Sequence, residues 1–86
     1  MNISKTTLNF ASRRNIDLFI NDGQILDISV MDGEGCTNES SVQYLFFDDE
    51  LFFYKSFNSN LEDLPNWIQN EKQLRQVIQY ISEVTA

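Results

Sequence analysis

The chain predicts a small α+β domain: an antiparallel sheet of about four strands in two hairpins, packed on a C-terminal amphipathic helix, with a short helix in front. Three observations carry that expectation. Short apolar runs between Ile16 and Phe57 are punctuated by turn-forming residues at Asn21-Asp22-Gly23 and Asp48-Asp49-Glu50. An apolar spacing of three and four residues, the signature of an amphipathic helix, begins only at Leu64. Finally, 86 residues with 42% hydrophobic content can build one core and are too few for two, so residues 1–86 form a single domain.

The first segment reads as a helix capped by Ser4 and running to Arg14, with Arg13 and Arg14 in its last turn. Thr6, Thr7, Leu8 and Phe10 also fit the alternation of a strand. Ile16 to Ile20 and Gln24 to Met31 make a hairpin around Asn21-Asp22-Gly23. A three-residue loop with Gly23 in the left-handed conformation pairs Leu18 with Leu26 and Ile16 with Ile28, keeping apolar residues on one face. That register sets Asp17 across from Asp27, where like charges cost stability and suggest a surface kept for binding.

Asp32 to Ser40 reads as a polar loop. Its Asp32, Glu34 and Glu39 invite a calcium reading, yet their spacing lacks the alternate oxygen ligands and turn glycine of an EF-hand. Ser41 to Phe47 and Leu51 to Phe57 form the second hairpin across Asp48-Asp49-Glu50. Neither face of this hairpin is polar, so one is expected on a helix and the other against the N-terminal segment or exposed as an apolar patch. After a loop, Asp63 and Pro65 suit a helix start, and Leu64, Trp67, Ile68, Leu74, Val77, Ile78 and Ile81 give its apolar stripe. Asn70, followed by Glu71 and Gln73, looks like a second cap that divides the segment into a short helix and a longer one ending near Glu83.

Charge is distributed unevenly. Asp17, Asp22, Asp27, Asp32, Glu34, Glu39, Asp48, Asp49 and Glu50 all lie between Asn15 and Tyr54, and all six lysines and arginines lie outside that stretch. A net charge of -7 argues against direct binding of nucleic acid and for a cationic partner. The chain contains no histidine, no phosphate-binding glycine loop and no cysteine pair, so neither an enzyme nor a metal or cofactor site is expected. The single Cys36 sits among acidic neighbours that raise a thiol pKa. The absence of a long apolar run near the start or elsewhere points to a cytoplasmic chain without membrane spans.

Small size, acidity and lack of catalytic residues together resemble several unrelated groups of inhibitors: anti-CRISPR and anti-restriction proteins that imitate DNA, and immunity proteins or antitoxins that plug nuclease active sites. The expected function is therefore a non-catalytic inhibitor that occludes a basic surface of a nuclease or other nucleic-acid-binding protein. Asp17, Asp27, Asp48, Asp49 and Glu50 supply charge, and Phe19, Phe47 and Phe52 supply apolar anchors. The alternative is an assembly module that homodimerises or docks through its two-sided apolar sheet.

Overall fold

In a computed structural model that describes residues 3–31, 37–57, 61 and 63–85, two helices cover one face of a five-stranded antiparallel sheet. Ser4 caps α1 (Lys5–Ser12), its side chain accepting from the Thr7 amide. The helix stops before the two arginines, so Arg13 is its C-cap rather than part of its last turn. Asn15, at φ 58°, turns the chain out of the helix, a conformation asparagine tolerates better than most residues. The chain continues into β1 (Ile16–Asn21), β2 (Ile25–Met31), β3 (Thr37–Phe47) and β4 (Glu50–Ser56). These four pair in sequence order, and β5 (Trp67–Ile68) adds to β4 before α2 (Glu71–Thr85).

The first hairpin is shifted by two residues from the expected register: Leu18 faces Ile28, Ile16 faces Val30, and the turn is Asp22-Gly23-Gln24. Asp22 and Gly23 both adopt positive φ, so the left-handed positions begin at the aspartate rather than at the glycine alone. A shift of two keeps every side chain on its predicted face, which is why apolar patterning could not detect it. It does separate Asp17 from Asp27: Asp17 faces Ser29 and Asp27 faces Phe19. The opposed carboxylates inferred from the sequence are absent.

The second hairpin turns in two residues, Asp48 and Asp49, at φ 51° and 63°, and Glu50 is the first residue of β4 opposite Phe47. Part of the expected 32–40 loop is strand: Thr37 and Ser40 pair with Met31 and Ser29 through two register shifts, so backbone pairing to β2 overrides a polar composition. Residues 32–36, including Asp32, Glu34 and Cys36, lie outside the described residues, as does the Glu39 side chain; the calcium reading falls there.

The expected helix start at Asp63 is the largest departure. Residues 63–65 are neither helix nor strand, and Trp67 and Ile68 pair with Phe52 and Leu51. Two bonds hold this segment to the sheet: the buried Tyr44 hydroxyl donates to the Pro65 carbonyl at 2.8 Å, and the Phe53 amide donates to Asn66 O at 2.9 Å. The helix begins at the second expected cap, where Asn70 Oδ1 accepts from the Gln73 amide at 2.9 Å. Leu74, Val77, Ile78 and Ile81 then join Ile16, Leu26, Ile28, Val42, Tyr44, Leu51 and Ile68 in one core.

Helix α1 lies beside α2 on that same face. Glu71 of α2 accepts from the Ser4 amide and from Thr7 Oγ1 at 3.1 Å, and Arg14 Nε donates to Gln79 Oε1 at 2.7 Å. The N-terminal segment therefore does not cover the second face of the sheet.

Candidate binding face

Side chains opposite one another in an antiparallel sheet share a face, so the strand registers define the surface turned away from the helices. One row across it is polar in the middle: Phe19, Asp27, Gln43 and Lys55. The next row, nearer the two hairpin turns, starts at Asn21 and is apolar beyond it: Ile25, Leu45, Phe52 and Trp67. Phe47 and Glu50 follow at the end of the sheet.

The apolar row is densest at the β3–β4–β5 side. Phe47 meets Phe52 edge to face with ring centres 6.2 Å apart, and Phe52 stacks with Trp67 at 6.2 Å and 10° between planes. Such ring contacts hold the aromatics in place without burying them. Phe47 remains 66% exposed and Trp67 49%. Beside them Gln24, Leu45, Phe46, Phe47 and Phe52 line an open cavity of about 530 Å³.

Acidic groups border this patch. The β3–β4 turn places Asp48 and Asp49 directly after Phe47, with Glu50 across from it. Because Ile25 pairs with Leu45, the β1–β2 turn carrying the exposed Asp22 lies at the same end of the sheet. Four carboxylate residues thus gather where the aromatics are exposed.

The predicted residues divide between two regions. Phe47, Phe52, Asp48, Asp49 and Glu50 come together at this end. Phe19 shares the face but stands on β1, three strand spacings or about 14 Å from Phe52. Asp17 lies on β1, two residue pairs beyond Phe19, away from the acidic end. Asp27 is only 8% exposed and accepts from Gln43 Nε2 at 2.6 Å, so it belongs to the sheet's own bonding rather than to a presented charge surface.

Sequence reasoning missed Trp67, Ile25, Leu45 and Asp22. Trp67 was counted in a helical stripe, and its true neighbour Phe52 is distant in the chain, beyond the reach of periodicity. Pro65 just before it was the available signal, since proline also suits the approach to a sheet edge. Among the described residues no group of three Asp, Glu, His or Cys side chains is placed to hold a metal ion, and no helix is long and apolar enough to cross a membrane. No family model, curated protein or solved structure matches the chain.

Proposed function

We propose that the protein is a non-catalytic inhibitor that lays the acidic, aromatic end of its sheet on a basic surface of a nuclease or another nucleic-acid-binding protein. The observation that carries this reading is the continuity of Asp48, Asp49 and Glu50 with the exposed Phe47–Phe52–Trp67 cluster. Aromatic anchors bordered at one end by carboxylates supply what a specific interface needs: desolvated contact area in the centre and complementary charge at the rim. The carboxylates steer encounter and fix the docking register, and the rings hold the complex once formed.

Arginine side chains suit both parts, since a guanidinium bonds to carboxylates and stacks on aromatic faces. Surfaces that grip phosphates are rich in that residue. Occlusion of such a surface requires no chemistry from the inhibitor.

The test is a capture from host-cell lysate with wild type and with Asp48→Asn/Asp49→Asn/Glu50→Gln side by side, eluted along a salt gradient. The expected result is a nucleic-acid-binding protein that leaves wild type at moderate salt, associates more slowly with the triple variant and shows a flatter salt dependence there. Equal retention by both proteins at every salt concentration would remove the acidic turn from the interface.

A further inference from the structure

Strand β1 forms one edge of the sheet, and among the described residues no strand pairs with its outer side. Little on it blunts association as edge strands usually do: no proline, lysine or bulge interrupts Ile16–Asn21, and Asp17 is its one charged residue. Phe19 and Ile20 are 58% and 47% exposed. Next to them, Leu8 and Ile3 from the α1 end join Leu18, Ile20 and Leu26 around an apolar cavity of about 230 Å³. An open backbone edge and an apolar recess therefore coincide.

We propose that β1 is the interface of a homodimer, with two copies of the strand pairing antiparallel about a two-fold axis at Phe19. For both helix layers to remain on one side of a continuous sheet, even-numbered residues must face even-numbered ones. Centring the axis on Phe19 sets Ile20 opposite Leu18 of the second copy on the helix side. On the other side it sets Asp17 opposite Asn21, so a carboxylate meets an amide and no like charges are opposed. Centring it on Leu18 instead sets Asp17 against Phe19 and spends Ile20 on Ile16, which its own core already buries.

Charge favours a second copy as the occupant. Antiparallel pairing brings the entry of one strand alongside the exit of the other. Exposed Arg13 precedes β1 and exposed Asp22 follows it, so each protomer turns its cationic entry towards the acidic turn of its mate. Two such ion pairs form per dimer by symmetry.

Sedimentation equilibrium of the full chain across the micromolar range tests the assignment. Wild type is expected at twice the 10.0 kDa chain mass, Ile20→Lys and Phe19→Lys at the monomer mass, and Phe47→Lys, in the aromatic cluster, still dimeric. Circular dichroism checks that each variant is folded, and substituting two exposed positions guards against the loss of either one. Arg13→Glu and Asp22→Arg should each raise the dissociation constant roughly 2- to 30-fold, and the double variant should recover it. A monomeric wild type, or a dimer that survives both β1 lysine substitutions, overturns the interface. Failure of the charge swap to restore association overturns the antiparallel register.

Discussion

Two consecutive aspartates in the left-handed region are an uncommon way to turn a hairpin. The same turn is made most readily by Asn-Gly, and each non-glycine residue held there costs stability while adjacent carboxylates repel. Asp48→Asn/Asp49→Gly should therefore raise stability by about 1 kcal/mol, or about 4–8 °C in Tm for a domain of this size. Thermal unfolding checks this, and a drop in Tm would show that the aspartates are the turn's preferred residues. Residue chemistry was also where the sequence spoke most clearly: Ser4 and Asn70 were recognisable as caps because capping depends on a side chain and the amide three residues on. The burial of Asp27 was not legible, because Gln43 reaches it only through the β2–β3 pairing.

Between elements, the informative contact is Glu71. In a capping box the residue three after the cap reaches back to the cap's own amide, but in α1 that position is Thr7. Glu71 supplies the missing acceptor from α2, taking the Ser4 amide and the Thr7 hydroxyl, while Arg75 Nη1 donates to Thr7 Oγ1 at 3.0 Å. The Ser4 amide, then the Ser4 and Thr7 side chains and the Arg75 charge, hold the Glu71 carboxyl below its ordinary range against the opposing effect of burial. A carboxyl with a lowered native pKa stabilises the fold fully above its unfolded value, and the stabilisation fades as pH falls through the native value. Wild type should thus melt above Glu71→Gln at neutral pH, and the gap should close on acidification. A gap that is constant with pH would exclude the ionised carboxyl as its source. The helices and the faces of the strands were legible because each follows a local period. Hairpin register and the strand at Trp67–Ile68 were not, since a two-residue slip preserves every face and β5 is fixed by Tyr44 and Phe53 from elsewhere in the chain.

For the molecule as a whole, one core does all the joining. Ile78 is fully buried between the helix layer and the sheet, and Ile78→Ala should cost ~2–5 kcal/mol against a total of ~5–15 kcal/mol. Denaturant unfolding should show one cooperative transition at a lower midpoint; separate transitions for helix and sheet would mean that the layers are stabilised independently. The segregation of charge along the chain becomes a segregation between these layers. Lys5, Arg13, Arg14, Lys72 and Arg75, with Glu71 and Glu83 among them, belong to the helices or their flanks, whereas Asp17, Asp22, Asp27, Asp48, Asp49 and Glu50, with Lys55, belong to the sheet and its turns, so the helix layer is net cationic and the sheet net anionic among these residues. Such an arrangement gives the protein a permanent electric moment running from sheet to helices. A positive charge placed off the axis of that moment exerts a torque on the molecule before any contact, turning the sheet side towards itself and the helix side away.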